Sequence, residues 1–252
     1  MSSQRIFGIN AVTARLGLGK AEIEKILIKK GELSSRLNDL LLLAEQTGCF
    51  IERVSDEALD EMTSITHQGV GLLLHSPKVK NEHFLYELLE QEKANQKKEP
   101  LLLLVLDGVT DPRNLGACLR SAATLGVHAV IVPKDNSAPL NDAAMKTASG
   151  GASYVPLIQV VNLARCLTQL KKAGVWIVGT LLEDSQNITA VDLKGHIAIV
   201  MGSEEKGMRH KTTKCCDFLV NIPMQNENFG FNVSVATGIC LYEVQRQRRA
   251  TI

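Results

Sequence analysis

Apolar residues fall along the chain in two different rhythms. From residue 101 onward, short unbroken runs rich in Leu, Ile and Val recur: Leu101–Leu106, Ala129–Val132, Val155–Val160, Val175–Val178, Ile197–Met201 and Phe218–Ile222. Stretches with apolar residues at helical spacing separate most of them, at Gly116–Leu125, Asn141–Ala148 and Asn162–Ala173, and a last helix is predicted from Val233 to about Arg248. Strands that are apolar on every position and alternate with helices predict a parallel sheet covered on both faces. Before residue 77 the pattern is mixed. Ser35–Leu43 has helical spacing, Gly48–Ile51 and Gly69–Leu74 read as short buried strands, and Ala21–Ile28 suits either a helix start or a strand. A small α/β unit is expected there.

Between the two lies a segment opened by Pro77 and closed by Lys97-Lys98-Glu99-Pro100, whose middle, Asn81 to Gln96, is rich in Glu, Gln, Lys and Leu. It reads as a linker with helical character. The expected organisation is therefore a small domain over 1–76, a linker over 77–100 and a large α/β domain over 101–252.

Composition narrows the partners. The chain has 252 residues, with 28 Lys+Arg against 27 Asp+Glu, and only 4% aromatics. Near-neutral charge excludes an indiscriminate polyanion binder, and few aromatics argue against a base-stacking platform. The charge is slightly uneven: net −2 over residues 1–76 and net +3 over 101–252. The longest apolar runs are far shorter than the ~20 residues of a membrane span, and Met1–Asn10 lacks the features of a signal peptide. Six scattered cysteines without a C-x-x-C pair, and six histidines without an H-x-x-x-H pair, predict reduced thiols, a cytoplasmic location and no metal.

The unusual residues cluster after strands. Asp107-Gly-Val-Thr-Asp-Pro-Arg-Asn-Leu-Gly116 follows the first, Gly179-Thr180 the fourth, Gly202-Ser-Glu-Glu-Lys-Gly207 the fifth, and Pro223 to Asn232 the sixth. In a parallel sheet these loops line the edge where ligands bind. Gly202–Gly207 has the spacing of a phosphate loop but continues Met208-Arg209 and carries Glu204 and Glu205, which would repel phosphate. Gly17-Leu-Gly19 lacks the third glycine of a dinucleotide fingerprint, and no G-x-S-x-G elbow offers a nucleophilic serine.

These segments carry a resemblance. The Asp107–Ala122 stretch, Val200-Met-Gly-Ser-Glu204, Asn221-Ile-Pro-Met224 and Asn232-Val-Ser-Val-Ala-Thr-Gly-Ile239 resemble the three motifs of the SpoU/TrmH family, in family order and at strand ends. Ile6–Val12 and His67-Gln-Gly-Val70 resemble the small RNA-binding domain of bacterial rRNA members. The resemblance covers 101–252 and extends to the N-terminus. It implies an RNA ribose 2′-O-methyltransferase using S-adenosylmethionine, in the subgroup that acts on a guanosine of 23S ribosomal RNA. It implies a trefoil-knotted α/β domain, a rare exception to unknotted connections, preceded by a small L30e-like α/β domain. A homodimer with the site at its interface is implied as well.

By the same resemblance, Asn114, Arg120, Glu204 and Asn232 are the catalytic set, and Gly202, Ile222 and Phe231, with Thr180 at the end of the fourth strand, contact the cofactor. Methyl transfer to a ribose hydroxyl needs alignment and removal of a proton from a weak acid. If the helix begins between Asn114 and Arg120, Asn114 shapes the loop while Arg120 points toward substrate. By position alone Arg120 reads as a surface helix arginine. The family assigns it the role of base, but a guanidinium holds its proton strongly, so contact with phosphate or a developing oxyanion is the easier chemistry. Glu204 by itself reads as a solvated loop acid, and Asn232 can cap the last helix as well as contact substrate.

The chain also departs from its relatives' pattern. Gly230 stands where the family usually has Ser, Phe231 where it has Leu, and Glu205 where it has Gly. Loss of a hydroxyl, a bulkier ring against adenine and loss of a close backbone approach are the expected consequences. Ser234 is a candidate replacement hydroxyl, and Phe231 a candidate stacking surface. Two functional classes follow: an active rRNA methyltransferase, or a family member that docks on RNA without methylating. A small-molecule enzyme on a similar sheet has only fold-level support. Arg113, Arg120, Lys206, Arg209 and Lys211 in or near the motif loops predict a basic edge that a dimer would double.

Overall fold

The computed structural model describes residues 4–17, 19–20, 23–75, 77–94, 99–226 and 229–249. Of the segments singled out above, Leu18, Ala21, Glu22, Asn95 to Lys98, Glu227 and Asn228 lie outside the described residues. The chain divides into two compact units, Met1–Pro77 and Lys78–Ile252.

The first unit runs β1 (Gln4–Phe7), α1 (Ile9–Leu16), β2 (Ile23–Lys29), α2 (Ser35–Gln46), β3 (Ile51–Val54), α3 (Asp56–Asp60) and β4 (Val70–Leu74). Its sheet has the order β1-β4-β2-β3, with β2 and β3 parallel and the other pairs antiparallel. Ile26 and Ile28 of β2 face Val12, Leu16, Leu37 and Leu40 of α1 and α2, while Leu27 between them faces Leu59 of α3 on the opposite side. The alternation settles the ambiguous segment as a strand. Gln68, at φ 54°, turns its side chain so that Oε1 accepts the backbone N–H of Ile9 at 2.9 Å. It thereby caps α1, which Gly8 cannot do with a side chain of its own. The two parts of this unit that resemble the family are joined by that bond.

The second unit opens with α4 (Glu82–Ala94), followed by β5 (Leu102–Asp107), α5 (Pro112–Thr124), β6 (Ala129–Pro133), α6 (Asp142–Ala148), α7 (Gly151–Tyr154), β7 (Leu157–Val160) and α8 (Leu163–Lys172). It continues with β8 (Trp176–Thr180), β9 (Gln186–Asn187), a 3₁₀ turn at Ile188–Ala190, β10 (Ile197–Gly202), α9 (His210–Thr213), β11 (Phe218–Asn221) and α10 (Val233–Arg249). Seven strands form one parallel sheet in the order β7-β6-β5-β10-β8-β11-β9.

Both faces are covered, as expected. Leu102, Leu104 and Leu106 of β5 pack with Leu115 and Leu119 of α5 and Leu241 and Val244 of α10. Leu103 and Val105 pack the other way, with Leu167 and Leu170 of α8 and Leu85 and Leu89 of α4. The last contact corrects the linker expected over 77–100. Its helical character is real, but from Lys78 the chain belongs to the second unit. Leu85 and Leu89, four residues apart, are a buried stripe inside a charged helix.

The six cysteines are all free of disulfides. Burial pushes the thiol of Cys118 up to about 11 and those of Cys166 and Cys240 up to about 12. Thiolate at pH 8 is then on the order of one part in a thousand or less, and thiolate is the reactive form. Iodoacetamide applied to the native protein at that pH is expected to leave these three unmodified in a peptide mass map, while denatured protein is alkylated at all six.

Candidate active site

Every strand of the large sheet ends on the same edge, and the register places Asp107, the last residue of β5, beside Gly202, the last of β10. The chain leaving β10 folds back at once. Ser203 N–H donates to Gly207 O at 3.1 Å and Gly207 N–H donates to Ser203 O at 2.9 Å, so Glu204, Glu205 and Lys206 form the tip of a tight turn. The left-handed position of that turn is Gly207, at φ 62°. Glu205 needs no positive φ, so its replacing the family's glycine leaves the turn unstrained.

α5 begins earlier than its apolar pattern suggested. Asp111 caps it by accepting the Arg113 N–H at 2.8 Å, and Pro112 occupies the first helical position. Asn114 therefore sits in the first turn of the helix rather than in a loop before it. Glu204 Oε1 accepts hydrogen bonds from Asn114 Nδ2 at 3.2 Å, from the Val233 N–H at 3.0 Å, and from Asn232 Nδ2. Asn232 Nδ2 also donates to Asn114 Oδ1 at 3.1 Å. Asn232 Oδ1 accepts the Ser234 N–H at 3.0 Å and its hydroxyl at 2.6 Å. Asn232 thus caps α10 and joins the cluster, the double role read from the sequence. Ser234 spends its hydroxyl on orienting Asn232 and does not replace the serine lost at position 230.

Three of the four expected catalytic residues, 118 positions apart at the extremes, converge in this network. Arg120 does not. It lies six residues beyond Asn114, about 9 Å further along the helix and ~120° around it, exposed to solvent. The condition that the helix begins between Asn114 and Arg120 is not met, because the helix starts at Pro112.

Two depressions meet at the turn. One is a polar cleft of about 540 Å³ whose lining includes Asp107, Asp111, Asn114, Glu204, Lys206 and Arg209. The other is a cavity of about 380 Å³ with an apolar wall of Met201, Ile222, Met224 and Phe231. Thr180, Gly202, Ile222 and Phe231, the four residues expected at the cofactor, all line this second cavity. Thr180 donates its hydroxyl to Val200 O at 3.1 Å, and Phe231 is 44% exposed. Glu204 lines both depressions. Sequence reasoning missed one further contact, the ion pair between Asp107 and Arg209. A carboxylate closing an otherwise apolar strand was the available signal.

No helix among the described residues is long and apolar enough to cross a membrane, and none of their His, Cys, Asp and Glu side chains form a group of three that could hold a metal ion.

A parallel sheet with an Asn–Glu–Asn cluster at its carboxyl edge defines the class. The family model of the SpoU rRNA Methylase family matches residues 101–242, and the model for RNA 2′-O ribose methyltransferase substrate binding matches residues 5–79. The chain belongs to the SpoU rRNA methylase family. It is 47% identical over 246 residues to the 23S rRNA (guanosine-2′-O-)-methyltransferase RlmB of Shewanella oneidensis, covering 97% of this chain and 98% of that one. It is 44% identical to the RlmB of Pseudomonas putida, over 98% of this chain and 97% of that one. Among solved structures, the AdoMet-bound rRNA methyltransferase from Sinorhizobium meliloti has the same fold, with a TM-score of 0.70 at 21% identity, covering 97% of this chain and 87% of that one.

Proposed function

We propose that this protein transfers a methyl group from S-adenosylmethionine to the ribose 2′-hydroxyl of a guanosine in 23S ribosomal RNA. The observation that carries this reading is the meeting of an apolar cavity and a polar cleft at Glu204. Methyl transfer needs two compartments that share one wall: a largely apolar one for the donor and a hydrated one for a sugar.

The cavity fits the cofactor. Its volume lies within the ~300–1,000 Å³ of small-molecule sites, its wall is sulfur-containing and aromatic, and the wall at Gly202 has no room for a side chain. Thr180, Gly202, Ile222 and Phe231 would hold the group. S-adenosylmethionine supplies an electrophilic methyl on a sulfonium. The chain's own residues do the rest: Glu204 ties Asn114 to the start of α10, so that Asn114 lines the cleft as a fixed polar group, with Asn232 bonded to both and holding them in place. Preorganised polar groups of this kind orient a hydroxyl and steady charge on its oxygen at little reorganisation cost.

Arg120 enters through assembly. A homodimer with the site at its interface gives Arg120 a route to the substrate that a single chain does not. The family's trefoil knot belongs to the same reading, and strand order supports it: β10 enters between β5 and β8, and β11 returns to the far side of β8. The first unit, as an L30e-like domain, would bind the RNA outside the reacting nucleotide, and a cytoplasmic location goes with a ribosomal substrate. The departures at positions 205, 230 and 231 do not favour the non-methylating alternative: the turn is unstrained, and Gly230 and Phe231 leave the cavity open.

The test is transfer of labelled methyl from S-adenosylmethionine to 23S rRNA transcribed without modification, with the product mapped by nuclease resistance at the 3′ side of the modified ribose. Incorporation at one guanosine is expected. Binding of the rRNA without any incorporation would overturn the reading in favour of a docking protein.

A further inference from the structure

Asp107 is fully buried, at the end of an apolar strand. Burying a carboxylate costs several kcal/mol unless its partners are well placed. Its partners both come from Arg209, 102 residues away: Oδ2 accepts the Arg209 N–H at 2.9 Å, and Oδ1 accepts Nε at 2.6 Å. The guanidinium is thereby fixed by one edge, while its side chain stays 48% exposed. The terminal nitrogens, the fork that recognises phosphate in a bidentate way, donate to no group among the described residues.

Arg209 also stands at a junction. It lines the polar cleft with Asn114 and Glu204, and it lines a neighbouring cleft of about 370 Å³ with His210, Lys211 and Asn162. The polar cleft is acidic, with Asp111, Glu204 and Glu205 against Lys206 once Asp107 and Arg209 offset each other. A polyanion can place a sugar there only if its phosphates are held beyond the acids. In the neighbouring cleft the same offset leaves Lys211 against Asp135, so no acid is in excess there, and the imidazole of His210 lies beside them.

We propose that Arg209, set by the buried carboxylate of Asp107, binds the RNA phosphate next to the target ribose, and that the strand leaves the site across the His210–Lys211 cleft. This rests on the ribose-methylation reading and adds to it a phosphate subsite and a direction for the substrate. Arg209 is the binding residue, and Asp107 is a positioning residue.

The experiment is filter binding of unmodified 23S rRNA transcript without cofactor, over about 50–200 mM KCl, for wild type, Arg209→Gln and Arg209→Lys. Loss of one phosphate contact is expected to reduce the slope of log affinity against log salt by roughly 0.7–0.9 in Arg209→Gln. Arg209→Lys restores that slope but only part of the affinity, because an ammonium lacks the fork. In turnover assays Arg209→Gln raises KM for RNA about tenfold with a smaller fall in kcat, the size of one lost charge-assisted contact. Asp107→Asn moves KM in the same direction, while Lys172→Gln, an equal charge loss on the exposed end of α8, moves neither.

A wild type that bound RNA no better than Arg209→Gln, or with the same salt slope, would overturn the proposal. So would a variant that lost affinity for S-adenosylmethionine instead, since the guanidinium would then serve the cofactor's carboxylate. A wild type with the expected slope that transferred no methyl would overturn the functional reading and leave the phosphate subsite standing. Should Arg209→Gln fail to fold because it strips the cation from the buried Asp107 carboxylate, the Asp107→Asn/Arg209→Gln double variant, which removes both charges together, decides the matter by the same salt slope.

Discussion

Glu204→Ala is expected to lower kcat for methyl transfer by about a hundredfold or more, the loss seen when one preorganised polar group is removed from an active site. Oε1 of this side chain gathers three donors: the amides of Asn114 and Asn232 and the N–H of Val233. Without it the first turn of α5 and the start of α10 lose their common anchor, and two Asn side chains become free to rotate. On an exposed turn each of these hydrogen bonds adds little to folding stability, roughly 1 kcal/mol or less, and the loss falls on the ordering of the two Asn side chains that the reaction needs. Glu204→Gln keeps an oxygen acceptor of the same reach and is expected to fall between, near tenfold. Because Glu204 sits on an exposed turn, thermal melting should move by only a few degrees in either variant. Single-turnover rates at saturating RNA and cofactor provide the check. An Ala variant retaining a third of the wild-type rate would remove Glu204 from the centre of the site.

The same cluster shows what the sequence could and could not reveal. The sheet was legible because its strands are apolar on both faces, which few other arrangements tolerate. Asn114, Glu204 and Asn232 were legible as strand-end polar residues, and their convergence follows from a parallel sheet putting every carboxyl end on one edge. The start of α5 was placed at Gly116 from the apolar spacing, whereas the helix is set by Asp111 and Pro112, a cap and a first-turn proline without apolar character. α4 was read as a linker for a related reason: Glu, Gln and Lys dominate its composition, and two buried leucines at i and i+4 are a thin stripe. The Asp107–Arg209 pair spans 102 residues, and local pattern contains nothing that pairs two such positions. Short elements such as β9 and α9 exist only because longer neighbours hold them.

Gly202→Ala is expected to be the most damaging single methyl group that can be added to the site. A Cβ at this position would lie 2.3 Å from the carbonyl carbon of Gly207 and from the nitrogen of Met208, and 2.8 Å from Gly207 Cα. All three obstacles are backbone, so no side chain can rotate away. The return limb of the Ser203–Gly207 turn must shift, and with it Glu204, whose contacts to Asn114 and Asn232 are the site. Overpacking of this kind costs about 1–3 kcal/mol, here at the upper end, because the obstructing chain runs directly into the buried Met208. A lowering of Tm by roughly 6–12 °C follows at 2–4 °C per kcal/mol for a unit of this size. Affinity for S-adenosylmethionine, read by calorimetry, should fall more than tenfold, because Gly202 lines the cavity and the displaced turn forms its wall. Gly195→Ala supplies the control: nothing lies within 4 Å of a Cβ there and its φ is not positive, so Tm and affinity should match wild type. A Gly202→Ala protein that melted with wild type and bound the cofactor equally well would mean that the turn can open without penalty, and the close approach at Gly202 would then have no part in forming the site.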